Sequence, residues 1–232
     1  MAPGDFTLHQ IRLVNVSCYL LYRHGEAMLI DCGNAGSEGK ILKEMTRLGL
    51  QPGMLKLLVL THAHYDHAGS AKRLKELTGC KIMIHHSEAE RIKAGFTGLP
   101  PGTRWKAKLL VGLGRLIAWR LGKYPAVDPD LLVEKMADLR EYGFEGRVLH
   151  TPGHTPGSMV VLLERGELIA GDTLFGWEGK QYFPPFAEDL PRLVESWKYI
   201  RDLDIKIIYP AHGRSIPWDN FLAEFDLVVK SY

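Results

Sequence analysis

The segment Thr61-His62-Ala63-His64-Tyr65-Asp66-His67 places three imidazoles and a carboxylate within six residues. Three more side chains of the same types stand apart along the chain: His154 in Thr151-Pro152-Gly153-His154-Thr155-Pro156-Gly157, Asp172 in Gly171-Asp172-Thr173, and His212 in Pro210-Ala211-His212-Gly213. Imidazole nitrogens and carboxylates without thiolates suit a borderline divalent cation such as zinc. Seven candidate ligands exceed the needs of one tetrahedral ion and match two ions that share a carboxylate. Such a pair lowers the pKa of a bridging water toward neutrality, giving a hydroxide nucleophile at physiological pH. A purely structural ion fits less well, because closed structural zinc sites are mostly built from cysteine.

These groups act together only if the chain brings them to one place. The nearly unbroken apolar run at residues 55–60 has the pattern of a strand buried on both faces, and the histidine cluster follows it directly. Short β-forming runs at residues 11–14, 18–22 and 27–30 precede it, separated by polar or glycine turns. A helix fits residues 37–48, with Ile41, Leu42, Met45 and Leu48 on one face and Gly49 where a C-cap belongs. Further along, the pattern predicts a helix over 70–77, strands over 81–84, 147–149, 159–163, 168–170 and 206–209, and amphipathic helices over 190–203 and 220–230. Alternating strands and helices indicate an α/β or layered α/β class. His154, Asp172 and His212 each follow a predicted strand, as the cluster does, so one sheet edge can collect them all.

The chain has 232 residues, enough for a single sizeable core. With 46% apolar and 24% charged residues it is neither disordered, collagenous nor a disulfide scaffold. Lys and Arg number 29 against 27 for Asp and Glu, so bulk charge does not point to nucleic acid as the main partner. Cys18, Cys32 and Cys80 show no C-x-x-C spacing and read as reduced thiols. The first residues lack a signal-peptide pattern, and the apolar stretch 109–121 is short and broken by Arg115 and Arg120. The expectation is a cytoplasmic monomer or homodimer without a membrane span. One segment differs: residues 91–127 contain no Asp or Glu but carry Arg91, Lys93, Arg104, Lys106, Lys108, Arg115, Arg120 and Lys123, with Trp105 and Trp119 among them. Residues 86–127 read as a helical, basic insertion in a single 1–232 domain. It would serve as a solvated face, a lid over the site or an oligomer contact, or as a contact for a membrane surface or nucleic acid.

Taken in order, His62-x-His64-x-Asp66-His67, the segment from His150 to Thr155, Gly171-Asp172-Thr173-Leu174-Phe175 and Pro210-Ala211-His212-Gly213 resemble the motifs of the metallo-β-lactamase superfamily, specifically its glyoxalase II-like hydrolases. The resemblance covers nearly the whole chain. It implies a four-layer αββα sandwich with metals at one sheet edge. It further implies that His62, His64 and His154 hold one ion, that Asp66, His67 and His212 hold a second, and that Asp172 bridges them. Two zinc ions are expected, with iron or manganese as the other candidates. Asp66, with His67 beside it, is the implied catalytic residue, orienting the nucleophilic water or taking its proton. The ions would polarise a substrate carbonyl and steady the oxyanion. Asp31 is similar to the family's aspartate close to the site, and reads equally well as a turn residue.

The implied activity is cleavage of a small ester, thioester or lactone by a bridging hydroxide, with a small acyl compound as the partner molecule. Phe175 stands where lactone hydrolases of the family often carry tyrosine. Gly179-Lys180-Gln181-Tyr182 is similar to the thiol-carrier contact of glyoxalase II, one residue closer to the motif. Phe175, Lys180 and Tyr182 are therefore candidate substrate-binding residues, Lys180 for a carboxylate and Tyr182 as a hydrogen-bond donor. Both Lys180 and Tyr182 also read as ordinary exposed loop residues. The helical domain that completes the glyoxalase II site has no counterpart in the twenty residues after His212. Trp177, Phe183 and Phe186 would pack a loop or form an apolar wall beside the metals. His85 and His86 read as surface or core residues. Two other activities resemble the same pattern: a single-iron dioxygenase acting on a persulfide, using His62, His64, His154 and Asp172, and a metal-dependent nuclease.

Overall fold

The computed structural model describes residues 6–98, 100–103, 122–177 and 181–230. One six-stranded sheet runs in order β1 (Thr7–Arg12), β2 (Ser17–Arg23), β3 (Glu26–Ile30), β4 (Leu55–Val59), β5 (Lys81–His85) and β6 (Leu131–Val133). Its first three strands form an antiparallel meander and the rest are parallel. The second sheet runs from β7 (Met136–Asp138) through β8 (Gly146–His150), β9 (Met159–Leu163), β10 (Glu167–Gly171) and β11 (Ile207–Pro210) to β12 (Ile216–Pro217). It is antiparallel except where β10 pairs with β11.

The period-2 alternation of side chains divides each strand between two apolar layers. In β3, Met28 and Ile30 enter the layer between the sheets, while Ala27 and Leu29 face the outer layer of the first sheet. In β9, Val161 and Leu163 enter the shared layer, and Val160 and Leu162 face the outer layer of the second. Both strands are therefore apolar at nearly every position, the pattern of sheets covered on both faces.

Helices close the two outer layers. On the first sheet, α1 (Glu38–Arg47) buries Ile41 and Met45, and α3 (Ala71–Thr78) buries Ala71 and Leu74; between them lies the single turn α2 (Tyr65–Ala68). α4 (Ala89–Ala94) buries Ile92 against the same layer. On the second sheet, α5 (Leu190–Arg201) inserts Leu193, Trp197 and Ile200, and α6 (Trp218–Val229) inserts Phe221, Phe225 and Val228. Helix, sheet, sheet, helix is the four-layer αββα order that the family resemblance implies, within the layered α/β class that the pattern predicts.

Some expectations shift. The first strand lies at Thr7–Arg12 rather than 11–14, because Leu13 N–H bonds to Val16 carbonyl (2.9 Å) and closes a turn that leaves Val14 98% exposed. β6, β7 and β12 have two or three residues each, too few for a periodicity signal. The described ends of the 86–127 segment are a 3-10 turn (His86–Glu88), α4, and a closed neck: Thr97 N–H bonds to Gly122 carbonyl (3.0 Å), and Tyr124 N–H bonds to Gly95 carbonyl (2.9 Å). Trp105, Trp119, Arg104, Lys106, Lys108, Arg115 and Arg120 lie outside the described residues. Among the described residues, no helix is long and apolar enough to cross a membrane.

Candidate metal centre

The C-terminal ends of β4, β8, β10 and β11 meet at one edge of the sandwich, and the loops leaving them carry all seven candidate ligands. Two groups result: His62, His64, His154 and Asp172, and beside them Asp66, His67 and His212, each with ligand-type atoms within 4.8 Å of one another. His62 and His67 are wholly buried, whereas Asp66 and His212 are the most accessible of the seven and line the cleft with His64, His154 and Asp172.

Hydrogen bonds on the outer side of the rings decide how most of them point. A carbonyl or a carboxylate can only accept, so the nitrogen facing it carries the proton. His154 Nδ1 donates to the Phe186 carbonyl (2.9 Å), His212 Nδ1 to the Asn15 carbonyl (2.7 Å) and His67 Nδ1 to Asp31 Oδ2 (2.8 Å). The Thr61 hydroxyl gives its hydrogen to Asp31 (2.8 Å), which leaves it to accept from His62 Nδ1 (3.0 Å). Each of these four rings thus commits Nδ1 to an outer partner and turns its Nε2 inward. His62 Nε2 and His154 Nε2 both approach His64 Nδ1, at 2.8 and 3.0 Å.

Asp172 stands between the groups. Its Oδ1 lies 3.2 Å from His67 Nε2 and 3.3 Å from His212 Nε2, while Oδ2 lies 3.4 Å from His154 Nε2. Asp66 Oδ2 is 3.5 Å from His212 Nε2. Among the described residues, His67 Nε2, Asp172 Oδ1 and His64 Nε2 are buried polar atoms without a hydrogen-bond partner. Buried polar atoms are almost always satisfied. Imidazole nitrogens gathered around a carboxylate that faces both groups, with His67 Nε2 and Asp172 Oδ1 otherwise unsatisfied, fit divalent cations, and these His and Asp residues are positioned to bind metal ions.

The loops need glycine where they approach other backbone. Gly153 sits at φ +135°, and a Cβ there would lie 2.3 Å from the Leu193 nitrogen. Gly176 and Gly213 pair as a short parallel bridge, where a Cβ on Gly176 would lie 1.8 Å from the Arg214 carbonyl oxygen. Asp31 holds a left-handed φ of +59°, which aspartate tolerates better than most residues, and its carboxylate also takes the Thr61 N–H (2.8 Å). The sequence left Asp31 open between a turn residue and one near the site; it is buried and braces the ligand loop.

Burial and neighbouring charge push the imidazoles in opposite directions. Burial, reinforced by adjacent imidazoles, holds His62 and His64 well below the ordinary histidine value; burial likewise lowers His154. Burial opposes the proton on His67 too, but Asp172 and Asp31 outweigh it and raise His67 well above that value. His212 is raised in the same way, burial being outweighed by Asp172. For Asp172 itself, burial favours the neutral acid, yet His212 and His67 hold it well below the usual carboxylate range.

A cleft of about 410 Å³ opens over the centre. His64, Asp66, His154, Asp172 and His212 contribute to its lining, with Tyr65, Phe175, Trp177 and Phe186 among its aromatic residues. Phe175 stacks on His212 with ring centroids 4.9 Å apart. Tyr182 is not among the described lining residues: it packs against the outer layer of the second sheet, and its hydroxyl accepts from Asn220 Nδ2 (3.4 Å). Phe183 joins the same layer against Trp197, so of the three expected wall aromatics Trp177 and Phe186 face the cleft. Lys180 lies outside the described residues. His85 stacks on His150 at 3.8 Å, away from both ligand groups. Sequence reasoning missed Thr61, Asn15 and Glu88, whose roles depend on partners distant along the chain.

The family model for the metallo-beta-lactamase superfamily matches residues 11–212. The chain belongs to this superfamily. Within it, the chain is 32% identical to a hydroxyacylglutathione hydrolase of Haemophilus influenzae, over 81% of this chain and 80% of that protein. It is 28% identical to a probable metallo-hydrolase of Methanocaldococcus jannaschii, over 80% of this chain and 82% of that one. Among solved structures, a metallo-beta-lactamase family protein of Thermus thermophilus superposes with a TM-score of 0.72 at 24% identity, covering 99% of this chain and 79% of that one. The BLEG-1 B3 metallo-beta-lactamase superposes at 0.71 and 24% identity, covering 96% and 99%. These two likenesses establish the metallo-beta-lactamase fold.

Proposed function

We propose that this superfamily member is a dinuclear zinc hydrolase that cleaves a small ester, thioester or lactone. The observation that carries the reading is the position of Asp172, whose two oxygens face opposite ligand groups while imidazole nitrogens converge beside them. Divalent ions held there would supply Lewis acidity and a hydroxide from water near neutral pH. The donor set of nitrogen and oxygen, without thiolate among the seven, favours zinc over softer ions.

The chain's own groups have distinct tasks. Asp66 reaches the cleft from the second group, which supports a role for its carboxylate in orienting a water and accepting its proton. His67, held by Asp31 on one nitrogen, keeps its other nitrogen fixed toward Asp172. Phe175, Trp177, Phe186 and Tyr65 offer apolar surface to the acyl portion, and no lysine or arginine is among the described residues lining the cleft. This wall favours an uncharged acyl group beside the metals, with Lys180 left as a candidate contact for a more distant anionic part. The hydrolase of Haemophilus influenzae supports thioesters as the first class to assay.

The test is elemental analysis of the chain purified without added metal, together with a panel of thioesters, esters and lactones. Two zinc ions per chain and turnover of an acyl substrate support the reading. One iron per chain, with oxygen consumed in the presence of a persulfide, overturns it.

A further inference from the structure

Glu88 is fully buried although it belongs to neither ligand group. Its Oε2 accepts from the N–H of Ala63 (3.2 Å), the residue between His62 and His64. Its Oε1 accepts from the N–H of Gly157 (3.0 Å), three residues beyond His154. One carboxylate therefore ties together the two loops that supply the histidines of the first group. The fit is close: a Cβ on Gly157 would lie 2.5 Å from Glu88 Cγ.

The surrounding contacts belong to the same assembly. Arg91 Nη1 lies 3.6 Å from Glu88 Oε1, which compensates the buried charge, and its guanidinium also pairs with both oxygens of Glu188 (2.6 and 2.8 Å). Glu188 N–H in turn bonds to the His154 carbonyl (3.0 Å). The Ala63 carbonyl accepts from the Tyr124 hydroxyl (2.7 Å) and from Thr97 Oγ1. Glu88, Arg91, Thr97 and Tyr124 all lie at the two ends of the 86–127 segment, which meet at the closed neck.

We infer that the base of the 86–127 segment is a brace that sets the spacing of His62, His64 and His154, with Glu88 as its positioning residue. The inference rests on the metal reading of the two groups. Both backbone polar groups of Ala63 are fixed by this brace, so the 2.8 and 3.0 Å approaches to His64 Nδ1 depend on it. The second group has a separate support, the carboxylate of Asp31 on His67. Only a carboxylate can accept from two N–H donors through its two ends, whereas an amide offers one oxygen and sets an NH₂ against the other donor.

The experiment is zinc titration of the metal-free full chain against a chromophoric chelator, in two backgrounds that isolate the groups. His212→Ala leaves the first group to be read, and His154→Ala leaves the second. Adding Glu88→Gln is expected to weaken zinc about ten- to a hundredfold in the His212→Ala background and to leave affinity unchanged in the His154→Ala background. Equal loss in both backgrounds shows a merely structural role and overturns the inference, as does loss in neither. If Glu88→Gln fails to fold, Tyr124→Phe removes one donor from the Ala63 carbonyl and must give the same asymmetry, several-fold in size; symmetric or absent loss overturns the brace. A His212→Ala chain with Glu88 intact that takes up no zinc overturns the metal reading itself, and the brace with it.

Discussion

Asp31 Oδ2 lies 2.8 Å from His67 Nδ1, and the other nitrogen of that ring faces Asp172 at 3.2 Å. A residue outside both ligand groups thereby fixes which nitrogen of His67 is available. Asp31→Asn replaces an oxygen that must accept with a group that also donates, and it disturbs the bonds to Thr61 that in turn orient His62. The variant should lose about ten- to a hundredfold in affinity for the second ion, and less for the first. Chelator competition measures this, and full retention of both ions would refute the role.

Asp172→Ala should lower metal content and activity together. Its carboxylate faces His67 and His212 on one side and His154 on the other, so its loss strips an oxygen from both groups. On the proposed two-ion reading, metal analysis should show fewer than one ion per chain under conditions that would leave two in the wild type. A variant that keeps its metal and full activity would remove Asp172 from the centre.

The opposed imidazole shifts predict stepwise loss of metal with acid. His62, His64 and His154 are lowered, so they are neutral and open to an ion through the neutral range. His67 and His212 are raised, so an ion entering the second group must displace their protons. Protons compete with metal for such ligands, and the second ion should leave first as pH falls. In the metal-free chain the signs are these: the raised pair stabilises the fold below the ordinary histidine value, about 6.5, and that contribution is lost as pH rises through their raised values. The lowered three contribute stability above about 6.5 that is lost as pH falls through their lowered values. Metal content after dialysis at a series of pH values checks the order of release; simultaneous loss of both ions would contradict it.

Trp177→Ala should raise KM for substrates with an apolar acyl group about tenfold, the effect of losing roughly half the burial of an aromatic ring. It should leave kcat nearly unchanged, because the residue lines the cleft without belonging to a ligand group. Equal effects on apolar and charged acyl groups would remove this wall from substrate selection.

Gly176→Ala should destabilise the chain by about 3 kcal/mol, the upper end for overpacking, since its Cβ would lie 1.8 Å from the Arg214 carbonyl oxygen. The bridge to Gly213 would open, and Gly176 N–H would lose the His212 carbonyl (2.7 Å). Thermal denaturation reads this directly; an unchanged melting temperature would show that the bridge is not needed.

The seven residues that converge on the centre were legible in the sequence, because each follows a strand whose apolar pattern marks it as buried and whose end marks a sheet edge. The helices at Glu38–Arg47, Ala71–Thr78 and Leu190–Arg201 were legible for the same reason, their apolar faces repeating at helical spacing. Tertiary structure alone decided what supports those residues. Asp31 reaches Thr61 and His67 across 30 and 36 residues, and Glu88 reaches Gly157 across 69. It also decided that Phe175 and Trp177 face the cleft while Tyr182 and Phe183 turn into the second-sheet layer, a choice made by a loop without periodicity. Local patterns record which face of an element avoids water, and the sequence carries them openly. A buried hydrogen bond between distant loops is recorded only in the packing that brings its donor and acceptor within reach.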